Sequence, residues 1–159
     1  DKDKLYVHLH ADERRIRAEN YGPLDQPCRD SCLEFFLSAD EKNIRYLNIE
    51  INPNLCIFFG FGTGRNNLMR ILLPDGVKTI NANCSRTNTS WDITYELSFS
   101  LLQLFFPDFT PTGRIRGNFY KCGDLTEQPH YYAWNYIKTP TPDFHRPEYF
   151  GEMFFLNEY

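Results

Sequence analysis

Carboxylate, amide and aromatic side chains fall on one face of two predicted neighbouring strands. Glu34 and Phe36 share a face of the first strand, and Asn48 and Glu50 share a face of the second. If these strands pair, the four side chains gather on one sheet surface. Sugars bind to such a mixture, because their C–H faces lie on aromatic rings while their hydroxyl groups exchange hydrogen bonds with carboxylates and amides. The same alternation also fits a solvated sheet face.

Two later segments add polar groups that could line the same kind of site. The first contains Arg116 and Asn118 and continues to His130 and Trp134. The second, residues 140–148, is rich in proline. A polar loop held by several prolines is preorganised, which lowers the entropic cost of binding a ligand.

Metal and nucleophile chemistry each have one candidate, and neither is convincing. His8 and His10 project from one strand face, but no third ligand of suitable spacing accompanies them. Cys122 with His130 could form a nucleophile and its base, although a turn cysteine beside glycine is more typical of a structural role. The sequence therefore predicts no catalytic residue and no metal ligand.

Carboxylate pairs leave an enzymatic alternative open. Glu34 with Glu50, or Asp143 with Glu148, could act as the acid and base of a glycosidase, although most chains offer such pairs. A glycan-processing enzyme or enzyme subunit would use side chains of the two later segments, namely His130, Asp143, His145 and Glu148.

Hydrophobic alternation with a period of two residues dominates the chain and predicts strands. These strands cover residues 4–11, 31–38, 44–52, 55–61, 67–73, 77–81, 91–97, 115–122 and 149–156. Residues 74–76 predict a hairpin turn, and residues 98–106 predict a short helix capped by Ser98 and ended by Pro107. The pattern predicts an all-β fold, a two-sheet antiparallel β-sandwich of jelly-roll type with at most one or two short helices. No linker divides the chain, so residues 1–159 are expected to form one domain.

Charge and cysteine content exclude several classes of protein. The formal net charge of −4 comes without a basic patch, which argues against nucleic-acid binding. No apolar run is long enough to cross a membrane, and no signal peptide is visible. The five cysteines are odd in number and lack paired spacing, so we expect five free thiols. Free thiols favour a cytoplasmic location, with secretion still open.

Four stretches carry a resemblance to a known family. They are Asp-Ser-Cys-Leu-Glu-Phe-Phe at 30–36, Tyr-Leu-Asn-Ile-Glu-Ile-Asn at 46–52, Arg-Gly-Asn-Phe-Tyr-Lys-Cys-Gly-Asp at 116–124, and Pro-Asp-Phe-His-Arg-Pro-Glu-Tyr-Phe-Gly at 142–151. In this order they resemble the family 9 carbohydrate-binding modules, in particular stand-alone bacterial proteins of that kind. The resemblance implies a non-catalytic β-sandwich that binds glucan or xylan chains, typically at the reducing end and between two tryptophans. It also implies a glycoside hydrolase as partner and, in some relatives, structural calcium; no other cofactor is expected.

The resemblance assigns site residues only in part. Trp134 matches the second clamping tryptophan and Glu34 matches a carboxylate that binds sugar hydroxyls. The first clamping tryptophan would stand six positions before Glu34, where this chain has Cys28, so that Tyr21 or Tyr46 would have to replace it. Arg65 is the choice for the binding arginine. The predicted carbohydrate-binding set is Trp134, Glu34, Arg65, Asn118, Asn48, Glu50, His130 and His145.

Two further expectations follow from the comparison with that family. Its modules begin well before the strand that opens this chain, so one or more leading strands are expected to be missing and the strand at Leu5 to have an open edge. A haem-binding relative of the same sandwich is a third interpretation. It would need axial ligands, for which Met69 and Met153 are the only methionines, and Met153 falls in a core strand pattern.

Overall fold

Two antiparallel sheets contain the ten strands of the computed structural model, which describes residues 3–39 and 44–155. The smaller sheet has the order β1-β7-β6. Its strands are β1 (Lys4–Asp12), β6 (Asn83–Arg86) and β7 (Ser90–Ser98). The larger sheet has the order β10-β8-β2-β3-β4-β5. Its strands are β2 (Cys32–Ser38), β3 (Tyr46–Ile51), β4 (Ile57–Gly62), β5 (Leu68–Arg70), β8 (Arg114–Cys122) and β10 (Gly151–Phe154), with β9 (Tyr131–Ala133) also paired to β8.

The main core lies between the two sheets, as alternation along the strands predicts. Leu33, Phe35 and Leu37 of β2 point into it, and Phe35 stacks on Phe119 of β8 with ring centroids 4.5 Å apart. Trp91 of β7 is fully buried on the opposite side of this core. Burying each large apolar side chain contributes about 1.5–3 kcal/mol, so this layer is the principal source of stability.

A second, smaller core covers part of the larger sheet on the side away from the sandwich interior, here called the outer face. It contains Phe36, Tyr46, Tyr120 and Phe150, with Phe144 packed against them. As a result every residue of β2 and β3 is buried. The solvated sheet face that the alternation also fitted is therefore excluded for β2 and β3, because both strands are covered on both sides.

The helices and several strand boundaries differ from the sequence-based expectations. Residues 77–81 do not form a strand. Asp75 adopts a left-handed conformation with φ 46°, and a short helix α1 (Gly76–Thr79) follows in place of the predicted hairpin. Helix α2 (Phe99–Phe105) is confirmed, with the Ser98 hydroxyl accepting a hydrogen bond from Leu101 N. Among the described residues, no helix has the length and apolar character needed to span a membrane.

Strands β6 and β9 were missed because their residues carry no apolar alternation. They form because β7 and β8 offer them free backbone edges. The last predicted strand, 149–156, is replaced by a 3₁₀ turn at Pro147–Tyr149 and by the shorter β10, and its residue 156 lies outside the described residues.

One edge of the smaller sheet is open in the part of the chain that the structure describes. There β1 pairs with β7 only. A largely apolar groove of about 380 Å³ runs beside it, and its lining includes Leu5, Val7, Phe119 and Met153. Within residues 3–39 and 44–155, the outer edge of β1 therefore lies beside this groove without a partner strand.

All five cysteines are free thiols, as predicted. Cys32, Cys56 and Cys122 are buried, while Cys28 and Cys84 are half-buried. No disulfide contributes to the stability of this sandwich.

Candidate functional site

Glu34 and Glu50 lie side by side on the outer face of the larger sheet. The strand register places Glu34 opposite Glu50 on one side and opposite Tyr120 on the other. Glu50 in turn lies opposite Phe58 of β4. The two predicted strands therefore do pair, and they bring two carboxyl groups together in the middle of the sheet.

These carboxyl groups are buried without a cation in contact. Glu34 is 3% exposed and Glu50 is 7% exposed. Cys122 Sγ donates to Glu34 Oε1 at 2.8 Å, and Asn48 Nδ2 donates to Glu50 Oε1 at 3.0 Å. Burial raises the pKa of Glu50 to about 7, and burial together with the charge of Glu50 raises the pKa of Glu34 well above its ordinary value. Within residues 3–39 and 44–155 neither carboxylate has an ion-pair partner.

The surroundings of this pair are rich in hydrogen-bond acceptors. Asn48 is fully buried, and its Oδ1 has no hydrogen-bond partner in the described structure. Together with the carboxyl oxygens of Glu34 and Glu50, this oxygen forms a floor that can accept several hydrogen bonds. A ligand with several hydroxyl donors complements such a floor, because each buried acceptor left unpaired costs about 1–3 kcal/mol.

Arg70 lies on the β4–β5 side of the floor. Its guanidinium carbon is 4.7 Å from the centroid of the Phe58 ring, and Nη1 and Nη2 donate to the carbonyl oxygens of Leu24 and Asp25. The charge of Arg70 acts on Glu50 in the direction of a lower pKa, although burial outweighs it. Sequence analysis placed this arginine on the predicted strand 67–73 but did not select it, because the position of that strand beside Glu50 depends on tertiary pairing.

Tyr131 supplies an exposed aromatic ring on the same face. It lies opposite Cys122, which lies opposite Cys32, so its side chain shares the outer face with Glu34. The ring is 43% exposed, and its centroid is 6.2 Å from that of Phe144. Sequence analysis missed Tyr131 as well. The two consecutive tyrosines at 131 and 132, just before Trp134, were the feature that could have indicated an aromatic binding surface.

Trp134 lies on the other face of the sheet. Its backbone N–H donates to Phe119 O, and its ring makes an edge contact with the Phe119 ring, which faces the main core. The side chain is 57% exposed and packs against Gly151 at the sheet edge. The sequence analysis expected Trp134 and Glu34 in one cluster, and the structure separates them. Trp134 lies beside Phe119 and Glu34 lies beside Tyr120, and neighbouring residues of a strand point to opposite faces.

Arg65 and His145 line a polar pocket of about 650 Å³ farther along the outer face. Arg65 forms an ion pair with Asp143 at 3.1 Å. His145 Nδ1 lies 2.8 Å from the hydroxyl oxygen of Tyr46, and burial followed by the charge of Arg65 lowers the pKa of His145 to about 4. The charge of Arg65 also favours a lower pKa at Glu34 and Glu50, so the pocket and the floor interact electrostatically.

Asn118 and His130 have other roles. Asn118 is fully buried, donates to Asn135 O, and accepts from the backbone N–H groups of Phe119 and Asn135, so it holds β8 to the segment that follows β9. His130 lies in a separate polar pocket, where its Nε2 is 2.6 Å from Lys121 Nζ. Neither side chain is available at the Glu34–Glu50 floor.

The residues of the enzymatic alternative do not converge. Asp143, His145 and Glu148 line one pocket, whereas His130 lines another. Asp143 is held between Arg65 and Arg146, and this pairing keeps its pKa below the ordinary value although burial opposes it. A carboxyl group with a lowered pKa is a poor proton donor to a glycosidic oxygen.

Metal and haem expectations find limited support in the described residues. The structural calcium of some relatives needs a set of oxygen ligands. Here one group of three or more histidine, cysteine or acidic donors lies close together, namely Cys32, Glu34 and Cys122, and it contains a single carboxylate, so it does not fit calcium. Met69 on β5 and Met153 on β10 lie on opposite edge strands of the larger sheet and cannot ligate one haem together.

The fold and the site together define a class of protein. A two-sheet antiparallel sandwich with polar acceptor groups and an exposed aromatic ring on one sheet face has the features of a non-catalytic carbohydrate-binding module. The profile of carbohydrate-binding family 9 matches residues 1–155. The chain belongs to this family, whose domains bind carbohydrate without catalysis. None of the curated proteins matches the chain.

Solved structures of similar fold agree with this membership. A candidate carbohydrate-binding protein from Bacteroides uniformis is 27% identical, with a TM-score of 0.77 over 95% of this chain and 72% of that one. A family 9 module from Caldicellulosiruptor kristjanssonii in complex with glucose is 12% identical, with a TM-score of 0.66 over 100% of this chain and 74% of that one. Its complex with cellotriose has a TM-score of 0.62 at 12% identity over 97% of this chain and 70% of that one. At 12% identity these two complexes support the fold alone.

Proposed function

We propose that this chain binds a neutral glucan- or xylan-type oligosaccharide at the outer-face floor formed by Glu34, Asn48 and Glu50. The observation that carries the proposal is a buried, acceptor-rich floor without a contacting cation, on the same face as an exposed tyrosine ring. Sugar hydroxyl groups donate hydrogen bonds to such acceptors, and a neutral ligand adds no charge to the buried carboxylate pair.

Each residue has a role that follows from its position. Glu50 accepts from a hydroxyl group while Asn48 Nδ2 holds its Oε1, and Glu34 orients the same sugar through its remaining oxygen. Tyr131 lies two strands across the sheet and two residues along it from Glu34, about 12 Å between Cα atoms, which allows adjacent units of one oligosaccharide to touch both. Arg65 extends the site into the pocket of about 650 Å³, a size that suits further sugar units.

Trp134 remains a second candidate for the stacking platform. Its 57% exposure gives a ring face that a sugar could cover, and the resemblance to family 9 assigns it that role. Because it lies on the other side of the sheet from Glu34, a site built on Trp134 would not include the carboxylate floor. The two sites are therefore separable by mutation.

The partner and the compartment are also part of the proposal. Glucose and cellotriose occupy a module of this family from Caldicellulosiruptor kristjanssonii, so glucans are the first ligands to test. A glycoside hydrolase acting on the same polysaccharide is the proposed partner. Five free thiols support a reducing, cytoplasmic environment.

The test is calorimetric titration with glucose, cellotriose, xylotriose and borohydride-reduced cellotriose. With one exposed ring as the platform we expect dissociation constants of about 10 µM to 1 mM, or about −4 to −7 kcal/mol. Weaker binding of the reduced trisaccharide would support recognition of the reducing end. Glu50→Gln should weaken binding by about 1 kcal/mol, because an amide keeps one acceptor of the two. Glu152→Gln, an exposed carboxylate on β10, is the matched control. If the wild type binds none of these sugars, or if Glu50→Gln changes nothing, the proposed site is wrong.

A further inference from the structure

Two buried thiols and a carboxylate meet beneath the floor of the proposed sugar site. Cys32 of β2 lies directly opposite Cys122 of β8, and Glu34 follows Cys32 by two residues on the same face. Cys32 is 0% exposed, Cys122 is 2% exposed and Glu34 is 3% exposed. The ligand atoms of all three lie within 4.8 Å of one another. Three donors are thus preorganised by strand register on a rigid sheet.

The existing contacts leave this cluster poorly satisfied as a purely protein arrangement. Cys122 Sγ donates to Glu34 Oε1 at 2.8 Å, lies 3.7 Å from the carbonyl oxygen of Cys28 and interacts with the Cys32 thiol. Cys32 Sγ also lies 3.8 Å from the carbonyl oxygen of Leu33. Among the described residues no lysine, arginine or histidine forms an ion pair with Glu34. Thiols are weak hydrogen-bond donors, so they stabilise the neighbouring carboxyl group only weakly.

We propose that Cys32, Glu34 and Cys122 form a binding site for a divalent transition-metal ion of the zinc type. Two thiolates with one carboxylate match the sulfur and oxygen donors that such ions take in tetrahedral sites, whereas calcium and magnesium prefer oxygen alone. The half-buried Cys28 lies beside the cluster, because its carbonyl oxygen is 3.7 Å from Cys122 Sγ. In the proposed site its thiol, on the 3₁₀ turn Pro27–Arg29, would move in as the fourth donor.

A bound cation would change the neighbouring floor. It would neutralise the cluster, connect β2 and β8 through their side chains, and hold Glu34 by Oε1 while Oε2 stays available to a ligand. The inference does not rest on sugar binding, because the thiols take no part in the proposed contacts with sugar. Metal binding without sugar binding, or the reverse, would separate the two proposals.

The experiment is a metal titration of the reduced chain after treatment with a chelator. We expect one equivalent of Co²⁺ to produce the near-ultraviolet thiolate-to-cobalt charge-transfer band of two or three thiolates, and Zn²⁺ to abolish that band by displacement. Cys32→Ser and Cys122→Ser should each weaken Zn²⁺ binding by about 100-fold or more, and Cys28→Ser should weaken it less. Cys56→Ser is the matched control, because Cys56 is equally buried and its thiol contacts Gly22 O at 3.2 Å instead.

Measurements on the wild-type chain keep the test decisive if a variant does not fold. Native mass spectrometry of the reduced wild type should show one Zn²⁺ ion, and its thermal midpoint should rise with Zn²⁺ concentration. The proposal is overturned if no charge-transfer band appears, or if Cys56→Ser loses the metal as fully as Cys122→Ser does. It is overturned equally if Cys32 and Cys122 form a cross-strand disulfide in the chain as isolated.

Discussion

Glu34 and Glu50 lie directly opposite each other on β2 and β3, and both are almost completely buried. Like charges at directly opposed positions of a sheet destabilise the pairing of its strands. A buried carboxyl group also costs free energy unless it is protonated or receives hydrogen bonds. Cys122 and Asn48 each donate one hydrogen bond to this pair, which leaves its other two oxygens for the donors of the proposed ligand.

The two exposed rings, Tyr131 and Trp134, make opposite predictions about the location of the sugar. Because Tyr131 shares the face of Glu34, Tyr131→Ala should reduce the free energy of sugar binding by about 1–3 kcal/mol. Trp134→Ala should leave it within about 0.5 kcal/mol of the wild type. Calorimetry with cellotriose measures both variants, and unchanged thermal midpoints serve as the folding control. The reverse result would move the site to Trp134 and away from the carboxylate floor.

His145 should make the stability of the chain depend on pH. Its imidazole faces the rings of Phe36 and Tyr46 and the charges of Arg65 and Asp143, and its pKa in the folded chain is about 4 against an ordinary value of 6.5. Between these pH values the unfolded chain binds a proton that the folded chain does not. The free energy of unfolding should therefore fall by about 1–2 kcal/mol as the pH falls from 6.5 to 4.

Denaturant unfolding at several pH values tests this dependence. His145→Gln, which keeps an acceptor for the Tyr46 hydroxyl, should flatten the curve in that window. His10→Gln is the control, because Asp92 raises the pKa of the exposed His10, an effect of opposite direction. An unchanged acid loss in His145→Gln would show that other groups cause it.

The thiols should react in the order of their accessibility. Cys84 and Cys28 are half-buried, and burial raises the pKa of Cys28, which lowers its thiolate fraction. Iodoacetamide should therefore modify Cys84 first and Cys28 more slowly, while the three buried cysteines should react only on unfolding. Peptide mass spectrometry after timed labelling measures the order. Uniform labelling of all five in the native chain would contradict the packing around β2 and β8.

The open edge of β1 should promote self-association of the chain of residues 1–159. An unpaired strand edge beside an apolar groove can pair with another chain, and a lysine on such an edge opposes this. Sedimentation velocity should show concentration-dependent association that Leu5→Lys reduces. Leu104→Lys, at a leucine 75% exposed on α2, should leave it unchanged. A chain that stays monomeric at high concentration would show that the groove is protected.

Local patterns were sufficient for the strands that alternate most clearly. The predicted strands at residues 4–11, 31–38 and 91–97 are β1, β2 and β7 in the structure. Local patterns failed at residues 77–81, where the left-handed Asp75 starts a helix, and at the short polar strands β6 and β9, which form by pairing with a neighbour. The sequence placed Glu34 and Glu50 on consecutive strands, and the structure shows that these strands pair.

The sequence by itself therefore determined the sandwich class, the family and the two strands that carry the carboxylates. Hydrophobic alternation with a period of two residues and the four family stretches are both visible in the order of residues along the chain. Only the tertiary structure decided which groups meet. A shift of one residue in strand register moves a side chain to the other face of the sheet. Register between distant segments placed Tyr131 on the Glu34 face, Trp134 on the opposite face, and Cys122 against Cys32.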